Sequence, residues 1–228
     1  MPPKIAHQLA EKSDSTDVLY SPIIERIHTS TSGEPRDVHH ALPSPNTPES
    51  HWIRWCFAHT ASALWRTEAL RQIGGWDVNQ TCCQDNELCY RALRGNLQAT
   101  ATPTPEAIYR VWSSATVSRK DPGRILKERT RLTEMYIEHL AENEAFNPQL
   151  RTAAAQSFFE MARSIYGIDK KWACRYAKER IARNLFTPTG PAASSLYKLA
   201  YRAGGFAFAE RVAQVKRMVR IQGNRQTS

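Results

Sequence analysis

The sequence predicts an α/β fold that gives way, part-way along the chain, to an all-α helical extension. Segments with strand and helix patterns alternate as far as residue 111, which is typical of an α/β layer. From Pro122 onward, each patterned segment instead has the apolar spacing of a helix. We therefore predict one α/β domain over residues 1–145 and a basic helical extension over residues 146–228.

The distribution of charge also separates two regions of the chain. The 228-residue chain has a formal net charge of +9. Residues 1–120 contain 12 basic and 12 acidic residues, whereas residues 121–228 contain the remaining 19 basic and 10 acidic residues. The whole excess of positive charge lies in the second region, which indicates that the two regions have different roles.

In the first region, the predicted elements follow one another closely. They are a helix over 3–12, a strand over 17–27, a strand over 62–66, a helical turn over 67–73, a helix over 84–94, and strand material over 97–111 broken by Pro103 and Pro105. Residues 29–50 are rich in Ser, Thr and Pro, so we predict a long irregular loop there.

The spacing of apolar residues in the second region predicts five helices, at 125–140, 150–166, 173–184, 196–203 and 208–221. In the last of these, Phe208, Val212, Val215 and Val219 recur at helical spacing, and basic residues occupy the rest of the helix wheel. A helix that is basic on one side and apolar on the other is suited to a peripheral membrane contact. Nucleic acid is not an expected partner, because the cations are spread around the helices without a recognised reader motif.

Composition excludes several other classes of protein. No run of about 18 apolar residues is present, so we expect no membrane span. The N-terminus has no apolar signal core, which favours the cytoplasm, at or near the inner face of the membrane. Five cysteines without paired spacing predict neither a disulfide framework nor a zinc site, and the Cys82-Cys83 pair is interpreted as structural.

The candidate site is the stretch from Gly74 to Gly95. A double glycine opens it with a tight turn, Trp76 follows, and Gln84-Asp85 stands at the start of a helix that stops at Gly95, a residue that tolerates the left-handed conformation. Asp85 has two interpretations: it caps the helix by accepting backbone N–H bonds, or it presents a carboxylate to a substrate. Arg91, farther along the helix, is expected to organise its surroundings.

Aromatic residues and histidines also have two interpretations. The numerous tryptophans are core residues, or one or two of them stack against a sugar or a base. His51 and His59 flank an aromatic cluster, and no histidine has the spacing of a metal ligand. No Asp-x-Asp pair and no glycine-rich nucleotide motif occurs in the chain.

Taken together, these segments resemble the second half of a family 2 glycosyltransferase of the GT-A (Rossmann-like) fold. The run from Trp65 to Asp77 resembles the family's R-x-x-x-L-x-x-x-G-G-[FW]-D motif, and the run from Gln84 to Gly95 resembles its [EQ]-D-x-[DE]-L-x-x-R-x-x-x-G motif. Further segments that match are 2–9, 17–20 and 109–113. The resemblance covers roughly residues 1–120, while the helical extension resembles an accessory region of some members.

The resemblance implies a function. Asp85 would be the general base that acts on an acceptor hydroxyl, with Gln84 and Trp76 on the acceptor side, and a sugar would pass from a nucleotide-sugar with inversion. A divalent metal, Mg or Mn, is expected in the family, but its Asp-x-Asp ligands would precede residue 1. We therefore expect the chain to be a fragment or one part of a split protein, inactive alone. Trp112 stands where many relatives carry a histidine.

One alternative from a different class stays open. The same half-fold could serve as a non-catalytic binding or scaffold module that docks to a partner protein or a membrane surface through its basic helices.

Overall fold

The computed structural model describes residues 3–28, 34–44, 46–105, 107–112 and 121–226. The chain is a mixed α/β protein that divides into two compact units, residues 1–150 and 151–228. The strands lie in the first unit, and the second unit is helical. None of the helices in the described part of the chain combines the length and apolar character needed to cross a membrane.

Two three-stranded sheets form the β-structure of the first unit. Its strands are β1 (Val18–Tyr20), β2 (Ile23–Ile27), β3 (Arg36–His39), β4 (Leu64–Trp65), β5 (Ala99–Ala101) and β6 (Ala107–Val111). In the first sheet, β1 lies between antiparallel β4 and parallel β5. In the second, β2 lies between antiparallel β3 and parallel β6. The parallel pair of the first sheet, β1 and β5, is thus followed along the chain by the parallel pair of the second, β2 and β6.

Proline separates the two sheets. The sequence predicts one strand over 17–27, but Pro22 has no N–H to donate to a ladder, and the strand is divided into β1 and β2 at this point. Pro103 and Pro105 divide the partner strand in the same way, as expected. The break at Pro22 lies opposite the break at Pro103 and Pro105. The strands on either side of these two breaks therefore belong to different sheets.

The prediction of an irregular loop over 29–50 is wrong in part. Residues 29–33 and 45 lie outside the described residues, but Arg36–His39 forms β3 and helix α2 begins at Pro48. A bidentate salt bridge links β2 to β3: the guanidinium of Arg26 donates to both carboxylate oxygens of Asp37, each at 2.8 Å. Such cross-strand pairs are not visible in composition, which is what the loop prediction used.

Five helices complete the described part of the first unit. They are α1 (Pro3–Ala10), α2 (Pro48–Ile53), α3 (Thr67–Gln72), α4 (Gln84–Arg94) and α5 (Pro122–Glu142). Two of them have side-chain caps: Thr47 accepts from the N–H of Ser50, and Asp121 accepts from the N–H of Arg124. The cap at Asp121 explains why α5 starts before the predicted residue 125.

An aromatic cluster joins α2, α4 and α5. Trp52, which is 1% exposed, packs edge-on against Tyr136 with ring centroids 4.9 Å apart. The centroid of the Tyr90 ring lies 6.1 Å from the centroid of each of these rings. The indole N–H of Trp52 donates to the carbonyl of Asn86 at 3.0 Å. The core interpretation is therefore correct for Trp52, and this residue fixes the first turn of α4.

The second unit is built from helices α6 (Pro148–Tyr166), α7 (Lys170–Ala182) and α8 (Ser195–Gln226). The prediction of two helices at 196–203 and 208–221 is confirmed, since α8 consists of two helices that meet at a kink, where Gly204 and Gly205 leave helical geometry and Gly205 has a φ of 72°. Only glycine adopts this φ without strain. Phe158 and Phe159 are fully buried and contact aromatic rings of α7, of α8 and of the segment between them.

One buried ion pair lies in the second unit. Glu210, 1% exposed, accepts from the Arg163 guanidinium at 2.6 Å and from the Tyr197 hydroxyl at 2.8 Å. The two donors satisfy the carboxylate, so its burial is tolerated.

A buried histidine also lies under the first sheet. The hydroxyl of Tyr20 is 2.6 Å from Nδ1 of His51, and Nε2 of His51 is 3.1 Å from the carbonyl of Pro43. A carbonyl only accepts, so Nε2 carries the proton and Nδ1 accepts from Tyr20. Burial lowers the pKa of His51, which keeps the ring neutral in the folded protein.

We expect this neutral histidine to make stability depend on pH. Below about pH 6.5 the unfolded chain protonates His51 while the folded chain does not, so the free energy of unfolding falls as the pH decreases toward the lowered pKa. Urea denaturation between pH 7 and pH 5 should show this fall in the wild type and a shallower one in His51→Gln.

The exposed His39→Gln variant is the control, because it removes one histidine without touching the Tyr20 network. It should keep the wild-type slope. Equal slopes for wild type and His51→Gln would contradict the assignment.

Candidate functional site

A cavity of about 970 Å³ opens in the first unit. It is bounded by β2, by the segment over 54–61 that follows α2, and by the first turn of α4. Ser21 and Pro22, which come directly after the carboxyl end of β1, form part of its wall. In open sheets with parallel strands, ligands bind in crevices outside these carboxyl ends.

The first turn of α4 brings two predicted site residues to this cavity. Gln84 and Asp85 both line it, together with Asn86. The residue at the N-cap is Cys83, which has a left-handed φ of 56° and makes no side-chain cap bond. Asp85 lies inside the first turn, so the capping interpretation of this residue is wrong: its carboxylate Oδ1 accepts from the indole N–H of Trp76 at 3.1 Å.

Trp76 contacts the candidate site through the hydrogen bond from its indole N–H to Asp85. It does not line the cavity, and 44% of its surface is exposed. The double-glycine turn before it has φ values of 80° at Gly74 and 64° at Gly75, which favour glycine at both positions. The turn therefore directs the indole toward Asp85 and leaves much of the ring open.

Arg91 holds this turn on α4. Its guanidinium donates to both carboxylate oxygens of Glu87, at 2.7 and 2.8 Å, and to the carbonyl of Gly75 at 2.7 Å. It also donates to the carbonyl of Ile73. The salt bridge raises the pKa of Arg91, and the residue organises the turn as expected from the sequence.

The end of α4 differs from the prediction in one respect. The helix does stop after Arg94, but Gly95 has a φ of −81° and is not left-handed. Asn96, with a φ of 57°, adopts that conformation instead. Asparagine tolerates it better than most residues, and the position after the C-cap is where it is used.

His59 was not among the site residues predicted from the sequence. This residue lines the cavity, and its ring meets the Tyr109 ring edge-on at 4.8 Å. Burial lowers the pKa of His59, and the nearby negative charge of Asp85 raises it by a smaller amount. The imidazole is thus neutral at physiological pH. The sequence signal was weak, because one histidine beside an aromatic cluster is common in cores.

Glu25 and His40 were not identified from the sequence. They come from β2 and from the residue after β3, and they face each other at 3.2 Å on the cavity wall. The second sheet creates this pair, so only a prediction of the β2–β3 pairing could have found it.

Three residues on the cavity wall have positive φ without being glycine. They are Trp55 at 59°, Ala58 at 41° and Cys83 at 56°. Such conformations are uncommon, most of all for a bulky residue, and they cluster at functional sites in proteins. Trp55 is held by a hydrogen bond from its indole N–H to the hydroxyl of Thr133 at 3.1 Å.

The vicinal cysteines Cys82 and Cys83 lie on the same wall, and Cys83 is a poor nucleophile. Burial, together with the neighbouring Cys82, raises the pKa of Cys83 to about 12. Both thiols are free, and Cys83 is protonated at neutral pH. The structural interpretation of this pair agrees with these properties.

The metal that the resemblance implies has no set of ligands in the described residues. Among them, no group of three or more His, Cys, Asp or Glu side chains is arranged to hold a metal ion. Trp112, which stands where the resemblance led us to expect a histidine, stacks on His28 with ring centroids 3.9 Å apart.

Comparison with known proteins gives no relative. The chain matches no family model, no curated protein and no solved structure.

The arrangement can support proton transfer at one end of an apolar cavity. Asp85 offers a carboxylate whose direction is fixed by Trp76, and Oδ2 remains to accept from a ligand. Neutral His59 lies on the same wall and can donate or accept one hydrogen bond.

We expect Arg91→Met to destabilise the first unit by about 2–3 kcal/mol, because it leaves Glu87 and two carbonyls without their donor. Chemical denaturation followed by circular dichroism measures the change. The control is Arg94→Met, an exposed arginine on the same helix, for which we expect less than about 0.5 kcal/mol. Equal losses would show that Arg91 has no special part in holding the turn.

Proposed function

We propose that residues 1–150 provide the acceptor side of a glycosyltransferase with a GT-A-like arrangement, in which Asp85 is the general base. The observation that carries the proposal is the position of Asp85, on the wall of a large cavity and with its carboxylate oriented by Trp76. A helix-capping aspartate would instead have its oxygens engaged by backbone N–H groups.

The proposed reaction is an inverting transfer. The acceptor hydroxyl donates a hydrogen bond to Oδ2 of Asp85 and loses its proton to that carboxylate as its oxygen attacks the anomeric carbon of a nucleotide-sugar. A new C–O bond forms, and the bond from the anomeric carbon to the diphosphate breaks on the opposite face. The nucleoside diphosphate leaves with the bonding electrons. No step is assigned to a metal.

Two further observations support an acceptor site at this place. The cavity wall includes residues directly after the carboxyl end of β1, where ligands bind in related architectures. Strained backbone at Trp55, Ala58 and Cys83 surrounds it, which a purely structural surface would not require. Gln84 and the neutral His59 are placed to orient the sugar or acceptor hydroxyls.

The test is Asp85→Asn in an assay that supplies the donor-binding part, joined to this chain or co-expressed with it. Release of nucleoside diphosphate from a panel of nucleotide-sugars, with magnesium present, reports transfer. We expect a loss of about 10²–10⁴-fold in kcat, because the amide cannot take the proton. Unchanged turnover would remove Asp85 from the mechanism.

Asp14→Asn provides the matched control, since Asp14 is exposed and does not line the cavity. It should keep full activity. Circular dichroism and thermal unfolding of both variants establish that any loss in Asp85→Asn comes from chemistry and not from the fold.

A second candidate function concerns the helical unit alone: we propose that α8 docks on an anionic membrane surface. Phe208, Val215 and Met218 are 45%, 55% and 57% exposed, and Lys216 and Arg217 lie among them. Apolar side chains left in solvent beside cations suit an anionic interface. The excess of positive charge in residues 121–228 supports the same partner.

Co-sedimentation with vesicles tests this second candidate. We expect binding to phosphatidylserine-containing vesicles that is weakened at least about fivefold by changing both Lys216 and Arg217 to Ser, because each cation near the surface contributes about 1 kcal/mol. Changing Lys170 and Lys171 to Ser removes the same charge from α7 and is the control. Equal binding by all three proteins would contradict docking through α8.

A further inference from the structure

The lining of the large cavity carries information about the ligand. Most of its wall is apolar, and its apolar side chains include Ile23, Leu42, Trp55, Phe57 and Ile125. Four of these five are only partly buried, so they present apolar surface to the cavity itself. Such surface is costly to leave in water and marks a site for an apolar group.

The indole N–H of Trp55 already has a hydrogen-bond partner within the protein. Its indole N–H donates to Thr133, and the guanidinium of Arg129 lies over its ring at 4.8 Å. The part of the ring that faces the cavity therefore has no unmet donor and offers an apolar contact. A ligand that packs against it gains by burying its own apolar surface.

The charge of the cavity argues against a phosphate-bearing ligand. None of the described residues that line it is a lysine or an arginine, the usual partners of phosphate. Asp85 is an acid in the first turn of α4, so a negative charge already occupies the position where the helix N-terminus would favour an anion. Glu25 is paired with His40, and His59 is neutral because burial lowers its pKa.

The polar groups that remain are concentrated at one end. The first turn of α4 carries Gln84, Asp85 and Asn86. His59 lies near Asp85, whose negative charge acts to raise the pKa of the imidazole. These groups can form hydrogen bonds with the hydroxyl groups of a ligand. A volume of about 970 Å³ is at the upper end of the range of about 300–1,000 Å³ for ligand sites, so it leaves room for an apolar body beyond a single sugar ring.

We propose that the cavity binds a neutral amphipathic alcohol: a hydroxyl-bearing head at Asp85 and His59, joined to an alkyl or aryl body that packs against Leu42, Trp55 and Ile125. The identification of this ligand as an acceptor rests on the proposed function. The binding of an uncharged amphiphile, and the rejection of its phosphorylated counterpart, follow from the cavity alone.

Isothermal titration calorimetry of the full chain at two temperatures tests the proposal with three probes. Octyl β-D-glucopyranoside, below its micellar concentration, should bind with a negative heat-capacity change, the mark of apolar burial. Free glucose should bind at least about 30-fold more weakly, since it lacks the alkyl body. Octyl phosphate should bind at least about tenfold more weakly, because it meets Asp85 without a cation.

Matched variants locate the binding. Ile125→Gln places an amide on the apolar wall and should weaken octyl glucoside about tenfold, whereas Ile168→Gln makes the same change at an exposed position in the other unit and should leave affinity within about twofold. Leu42→Ser is the second wall variant should Ile125→Gln fail to fold. Asp85→Asn should narrow the preference for octyl glucoside over octyl phosphate, because it removes the repelling charge.

The proposal is overturned if glucose binds as tightly as octyl glucoside, if octyl phosphate binds as tightly or more tightly, or if Ile125→Gln and Ile168→Gln act alike. The proposed transferase reaction is tested separately by nucleoside diphosphate release. Octyl glucoside binding without transfer would reject only the reaction, and transfer to a free sugar without octyl selectivity would reject only the amphipathic ligand.

Discussion

The indole of Trp52 links the parts of the first unit that the candidate site needs. Its ring is buried between α2, α4 and α5, and its N–H donates to the carbonyl of Asn86 at the start of α4. That hydrogen bond anchors the first turn of α4, which carries Gln84, Asp85 and Asn86 on the cavity wall. Trp52 therefore holds the backbone of this turn, while Trp76 orients the Asp85 carboxylate.

The surroundings of the cavity combine rigid support with strained connections. Arg91 fastens the double-glycine turn to α4, and the Tyr20–His51 pair holds α2 beneath the first sheet. Between these supports, Trp55, Ala58 and Cys83 keep backbone conformations that cost energy. Packed and hydrogen-bonded neighbours supply the stabilisation that offsets this cost, which is how a site can retain a shape that local preference disfavours.

Glu210 in the helical unit and Asp85 on the cavity wall have different hydrogen-bond partners. In the helical unit, Glu210 is fully buried and is satisfied by Arg163 and Tyr197. In the cavity, Asp85 accepts one indole N–H and has no arginine or lysine beside it among the described lining residues. A carboxylate that accepts from one neutral donor keeps an oxygen free for a ligand, whereas one held by a guanidinium is committed to the fold.

The sequence by itself determined the order of most elements, the change from α/β to helices, and the placement of Gln84 and Asp85 at the start of α4, since periodicity, proline and glycine act locally. It also indicated Arg91 as an organiser. Only the tertiary structure decided that Asp85 bonds Trp76 instead of capping its helix, and that His59 faces the same cavity. These depend on contacts between residues distant in the chain, and on buried packing that overrides local preference, neither of which leaves a periodic signal.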